Sequence, residues 1–375
     1  MALNPFAAMN FSWGRRWRRG TVGVPWSVSP HRRAFPQAST HLSFLSSSSS
    51  ADAVYAALDL GTNNCRMLVA RPQGRTFRVV DAFSRITRLG EGVAATGRLS
   101  EEAMARTVSA LRACADKMAR NRVTHARLVA TEACRRAANH AEFAARVAGE
   151  TGLDLNIITA HEEAGLALAG CASLMEPDVP WALVFDIGGG STELVWVANG
   201  DSRREVQGVQ SLPIGVVTLA EEMGDRLNTP AGYAEAVAAI RLRLQSFEAR
   251  HGIAERLGDG SVQMLGTSGT VTTLAALHLD LERYERSLVD GVDLHFDHIA
   301  GVTARLAGMT TAERSRHPCI GPERADLVLA GCAILEAMCH LWPLTSLRVA
   351  DRGVREGLLL SMMAENAHRP ALGKV

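Results

Sequence analysis

From Val54 onward the apolar positions switch between two periods, and the switches predict the elements. The stretch "VYAALDLGTNNCRMLVA", 54–70, is an apolar run that ends in Asp59-Leu60-Gly61, passes a small polar turn and returns as a strand. A second copy, "VFDIGGGSTELVWV", 184–197, runs apolar into Asp186, spends three glycines and resumes at Thr192. Glycine weakens a strand, so three together mark a turn with unusual backbone angles or the close approach of another body. The two copies lie about 127 residues apart.

After the first hairpin the pattern predicts a strand at "RTFRVVDAF", a loop at "SRITRLGEGV" and a helix opening at Ser100 with Glu101 and Glu102 in its first turn. Met104, Val108, Leu111, Ala115 and Met118 step by four and three, the stripe of one buried face. "HARLVAT" predicts a strand, 132–147 a helix, and "LNIITA" a strand feeding the helix "HEEAGLALAGCASLM". The second hairpin, 181–198, is followed by the strand "REVQGVQSL", a helix from about Val216, the strand "VQMLGT" and the helix "GTVTTLAAL". The repeated order predicts two related halves, each a sheet with helices outside it, folded around a cleft with the glycine turns facing one another.

Composition adds limits. At 375 residues the chain exceeds the ~250–300 residues that one core usually serves, so two domains are expected. No apolar run approaches the ~18 residues of a membrane span. Residues 1–51 carry six arginines, no acid and a serine tract without sustained period, which predicts a disordered basic tail; the same composition also describes an organelle transit peptide. The remainder holds 34 basic and 39 acidic residues, a charge of −5. A polyanion can therefore be gripped only by a local cluster of donors, and neither a nucleic-acid polymer nor a membrane is an expected partner. Seven cysteines without a C-x-x-C pair read as reduced thiols filling the core of a cytoplasmic protein.

The turns carry the chemistry. A glycine hairpin exposes backbone N–H groups as a nest for phosphate oxygens, and Thr62, Asn63, Asn64, Ser191 and Thr192 add side-chain donors. Asp59 and Asp186 facing each other above such loops suit Mg²⁺, which takes oxygen ligands and keeps several waters. An ordinary hairpin with a locally satisfied acid accounts for one copy better than for two. In "TSGT", Thr267 and Ser268 sit at a strand-to-helix junction, either an anion site or a plain N-cap. His295 and His298 in "HFDH" lack a third ligand at useful spacing, and Asp297 reads as a helix cap.

These hairpins and the junction after them resemble the ATPase superfamily of actin, hexokinase and the heat-shock ATPases. Within it, "ALDLGTNNCRMLVA", "TRLGEGV", "ATEACRRAAN", "VFDIGGGSTELV", "GTSGTVTTLAAL", "CIGPERADLVLAGCAIL" and "DRGVREGLL" resemble, in order, the exopolyphosphatase/guanosine-pentaphosphate phosphatase family over roughly residues 54–363. The resemblance implies an α/β fold of two ribonuclease-H-like lobes, each a mixed sheet flanked by helices around an interlobe cleft. Lobe I would span 52–160, completed by a C-terminal helix at 354–368, and lobe II 161–353. It also implies the short two-domain form, with a preference for shorter polymers and a possible homodimer.

By the same resemblance Glu163 of "HEEAG" would activate water; read alone, Glu162 and Glu163 merely complement a helix dipole. Gly165 stands where the family carries an arginine. Arg135 matches the family's phosphate-contacting arginine, with Arg136, Arg66 and Arg88 as further cations. Gly61, Thr62, Asn63, Gly188, Gly189, Gly190, Ser191, Thr192, Thr267 and Ser268 would grip the substrate. Mg²⁺ would be held through Asp186, with Glu193 and Asp59 as further ligands. The expected activity is hydrolysis of a phosphoric anhydride: polyphosphate first, guanosine pentaphosphate as the alternative. A kinase or chaperone-like ATPase and a non-catalytic polyphosphate sensor are the readings from other classes.

Overall fold

The computed structural model describes residues 53–200 and 204–367, so the expected tail at 1–51 lies outside the described residues. The first half builds β1 (Tyr55–Leu60), β2 (Asn64–Gln73), β3 (Thr76–Ile86), α1 (Val93–Thr96), α2 (Glu101–Arg120), β4 (His125–Ala130), α3 (Glu132–Arg136), α4 (His140–Thr151), β5 (Asn156–Ile157) and α5 (Ala160–Cys171). Its sheet has the order β3-β2-β1-β4-β5, an antiparallel meander extended by two parallel strands.

The second half builds β6 (Trp181–Ile187), β7 (Thr192–Asn199), β8 (Arg204–Leu212), α6 (Val216–Met223), α7 (Pro230–His251), β9 (Val262–Thr267), α8 (Gly269–His278) and α9 (Arg286–Val289). It continues with β10 (Asp293–His295), α10 (Phe296–Ala307), α11 (Thr311–Arg316), α12 (Val328–Leu341), β11 (Ser346–Ala350) and α13 (Val354–Ala367). Its sheet, β10-β11-β9-β6-β7-β8, repeats the first strand for strand and adds β10 at one edge. Even the bulge recurs, at Val69/Ala70 in β2 and Trp196/Val197 in β7.

The layers follow from which faces are apolar. Outside the first sheet lie α2 and α4, contributing Met104, Val108, Leu111, Phe143 and Val147. Outside the second lie α6, α7, α8, α10 and α12 around Phe185 and Trp196. Between the sheets run α5 and α13. Leu358 and Leu359 of α13 pack on Tyr55, Ala57 and Leu68, while Ala164 and Cys171 of α5 pack on Val184 and Val195. The two helices touch backbone to backbone: a Cβ on Gly357 would collide with Leu166 O, and one on Gly170 with Gly353 O.

Two expectations need correction. The helix expected over 132–147 breaks at Ala137, because Asn139 turns inward to accept from Leu99 N at 2.8 Å and donate to Leu99 O at 3.0 Å. Asp297 lies in the first turn of α10, whose N-cap is His295. All seven cysteines are buried free thiols, and among the described residues no helix is long and apolar enough to cross a membrane.

Candidate active site

β1 and β6 are flanked on both sides in their sheets, and each carries an aspartate, Asp59 or Asp186, one residue before its end on the face toward the inner helices. Beyond them the turns close alike: Gly61 N–H donates to Asn64 O, and Gly188 N–H to Ser191 O, both at 2.9 Å. The turns meet across the cleft. A Cβ on Gly190 would lie 2.5 Å from Thr62 Oγ1, and one on Gly189 3.1 Å from the Asn63 amide nitrogen. Any side chain there would force the lobes apart, which is why this turn spends glycines.

Where the turns meet is a cavity of ≈140 Å³, and its wall includes Asp59, Gly61, Thr62, Asn63, Arg66, Glu163, Asp186, Gly188, Gly189, Gly190, Ser191, Thr267 and Ser268. Ser268 holds φ 84, ψ −179, backbone that only glycine adopts freely, and its Oγ donates to Ile187 O at 2.8 Å. The β9–α8 junction is thus tied to the strand that leads into the second turn. Thr267 donates to Arg352 O on the far side.

Three expected site residues stand elsewhere. Thr192 is fully buried and donates to Ile214 O at 2.7 Å, because strand alternation aims it at the outer helices. Glu193 faces inward but lies behind the wall, accepting from Ser211 Oγ at 2.8 Å. Arg135 also lies off the wall: Nη1 donates to Glu163 Oε2 at 2.7 Å and to Ile158 O at 3.1 Å, while Nε and Nη2 reach Glu132 Oε2. Its donors are spent on carboxylates and a carbonyl, so it orients Glu163 instead of facing the cavity. Arg136 is exposed, and Arg88 sits across the lobe boundary from Asp326. Gly165 is exposed, with nothing within 4 Å of a Cβ there, so an arginine missing from this position leaves no gap in the wall.

The wall also includes Arg324 and Arg355, which the motif reading quoted without singling out. Together with Arg66, their guanidiniums make no hydrogen bond or ion pair among the described residues. Arg355 lies at the start of α13 and Arg324 in the loop before α12. Neither position has a local signal; only the tertiary fold brings them to the turns.

The carboxylates are held against their preference for water. Burial raises the pKa of Asp59, with Arg355 and Arg66 opposing. Burial and then Asp59 push Asp186 up to about 6. Burial and then Asp186 push Glu193 to about 7, against hydrogen bonds from Ser191 and Ser211. Glu163 is raised well above the usual range by burial and by Glu193, with Arg135 opposing. Its Oε2 is held by Arg135, and Oε1 has no partner among the described residues. Glu162, by contrast, points at Arg127.

Two lobes of one plan, closing paired acid–glycine turns on a shared cavity, define an anion-binding protein of the actin-like ATPase fold. The chain belongs to the Ppx/GppA phosphatase family, whose profile matches residues 68–366. It is 33% identical over 327 residues to exopolyphosphatase 2 of Mycobacterium tuberculosis, covering 82% of this chain and 98% of that protein. It is 29% identical over 314 residues to the guanosine-5'-triphosphate,3'-diphosphate pyrophosphatase of Aeromonas salmonicida, covering 84% of this chain and 60% of the relative. The crystal structure of the Aquifex aeolicus family member is similar with a TM-score of 0.69 at 30% identity, over 84% of this chain and 99% of that one.

Proposed function

We propose that the chain is an exopolyphosphatase, releasing orthophosphate from the end of inorganic polyphosphate. The observation that carries the reading is the convergence of both glycine turns and Glu163 on one cavity whose wall also carries Asp59, Asp186 and the guanidiniums of Arg66, Arg324 and Arg355, which make no hydrogen bond or ion pair among the described residues. A row of phosphates fits that set of donors. Backbone N–H groups of the turns would share the equatorial oxygens, and Arg66, Arg324 and Arg355 would bind the bridging and trailing phosphates by paired N–H donors.

Water then attacks the terminal phosphorus, Glu163 takes the water's proton through Oε1, and the P–O bond to the bridging oxygen breaks with its electron pair leaving on the shortened chain. A raised pKa suits a base that must hold a proton at neutral pH.

Asp59 and Asp186 fit a hard divalent cation. Both line the cavity, both are raised by burial, and each repels the other. Two carboxylates beside a phosphate cavity suit Mg²⁺, which is commonly held by one or two carboxylates plus substrate phosphates and water. When bound, the ion supplies charge neutralisation at the phosphate oxygens. Glu193 supports this site from behind the wall without being a ligand.

The relative named for guanosine-5'-triphosphate,3'-diphosphate keeps the nucleotide as the second substrate to try. Purified protein with Mg²⁺ should release orthophosphate from polyphosphate faster than from guanosine pentaphosphate, and from ATP plus a sugar not at all. Faster release from the nucleotide would transfer the assignment to it; polyphosphate binding without release would make the chain a sensor.

A further inference from the structure

Arg88 combines a backbone that holds the first glycine turn with a guanidinium that crosses to the other lobe. The amides of Thr87 and Arg88 both donate to Asn63 O, at 2.9 and 3.0 Å, and Gly90 N–H donates to Thr62 O at 2.9 Å. Arg88 takes a left-handed backbone, φ 47, which turns its side chain out of this patch. Its Nη2 reaches Asp326 Oδ1 and Oδ2 at 3.2 and 3.1 Å and Glu323 O at 3.2 Å. Those acceptors flank Arg324 in the loop that also brings Leu327, the N-cap of α12, to the cavity wall. From beneath, Arg314 donates to Ala325 O at 3.2 Å, so the loop is pinned on two sides. A second tie across the cleft, Gly92 N–H to Glu221 Oε1 at 2.9 Å, runs alongside.

We propose that Arg88 is a positioning residue: through Asp326 and Glu323 it locks the Arg324 loop to the first glycine turn, and so sets how tightly the closed cleft holds a phosphate chain. The inference rests on the hydrolase reading for its kinetic readout, but the tie itself is structural. Arg88 lies off the cavity wall, so its loss should weaken binding and leave the chemical step alone. The pair is partly exposed, with side chains 32% and 45% accessible, so a modest effect is expected.

The test is a charge-swap cycle in the full chain. Arg88→Met and Asp326→Asn should each raise KM for polyphosphate two- to fivefold, with kcat changed less than twofold. The double variant should be no worse than either single one. The swap Arg88→Asp with Asp326→Arg should recover most of the affinity, and aspartate tolerates the left-handed backbone well. Hydrogen exchange on the ligand-free protein gives a readout independent of substrate: Arg88→Met should speed exchange at 321–328. A fall in kcat at unchanged KM, with no rescue by the swap, would overturn the proposal, as would unchanged exchange at 321–328. Failure of the wild type to hydrolyse any substrate would instead sink the hydrolase reading and leave exchange to judge the tie.

Discussion

Burial and the Glu193 carboxylate raise the pKa of Glu163 against the pull of Arg135, and a base works only once ionised. Activity should therefore fall on the acid side at a pH above the ordinary carboxylate range, and Glu163→Gln should lower kcat by about 10²–10⁴ with KM little changed; a pH–rate profile beside the variant checks both. Removing Arg135 takes away the strongest opposing cation, so Arg135→Met should move that limb further up. Asp186 gives a test by stability. Its pKa is raised to about 6, so the folded state holds this proton more tightly than the unfolded chain does, and stability drops as pH rises from about 4 to 6. Asp186→Asn should then stabilise the metal-free protein by about 1–3 kcal/mol at pH 7 and by little at pH 4, while abolishing activity. Thermal denaturation at both values decides it, and equal effects at the two would remove the electrostatic account. At this scale the sequence shows residue types better than directions. Asp59, Asp186 and the glycines are legible because the turn dictates them. Thr192, Glu193 and Arg135 stand off the wall, a placement the sequence does not show, because one strand position, or one i,i+3 carboxylate such as Glu132, decides where a side chain points.

The elements that deliver these residues are legible in proportion to their periodicity. Four of the five stripe positions on α2, Met104, Val108, Leu111 and Met118, are buried as the spacing predicts, while Ala115 is half-buried and Cys114 takes the inner place beside it; Ser100 accepts from Ala103 N at 3.2 Å to start the helix. The break after α3 is not visible, since it depends on Asn139 satisfying Leu99 some forty residues earlier. Nor does any local pattern say that α5 and α13 lie in contact between the sheets, although that contact carries Glu163 and Arg355 to the same cavity. Gly357 makes the contact possible. Gly357→Ala would press a methyl group into the Leu166 carbonyl and push α13 off α5. The expected cost is about 1–3 kcal/mol of stability, as for other overpacked sites. A rise in KM should accompany it as Arg355 withdraws, read by urea unfolding and steady-state kinetics on the same preparation. A variant of normal stability and normal KM would show that the helices tolerate a wider spacing than the structure has.

Neither lobe owns the cavity: one gives Asp59 and its turn, the other Asp186 and its turn, and the inner helices close the floor. The duplicated strand order made this architecture readable from the chain, whereas its charge did not, since the body outside the basic tail is net acidic. The cavity is instead a local concentration of guanidiniums and amides assembled by folding. A ligand bound there touches both halves and should raise the stability of the whole molecule. For a ligand at a hundred times its Kd the gain is about 2.7 kcal/mol, or roughly 5–10 °C in Tm for lobes of this size. Glu163→Gln keeps the wall and should block turnover, so the variant can be melted with tripolyphosphate and Mg²⁺ present. The upward shift should require both, because Asp59 and Asp186 repel an anion until a cation lies between them, and chelation of the metal should return Tm to the ligand-free value. A shift that persists after chelation would mean that the arginines alone hold the chain and that the two aspartates serve another purpose.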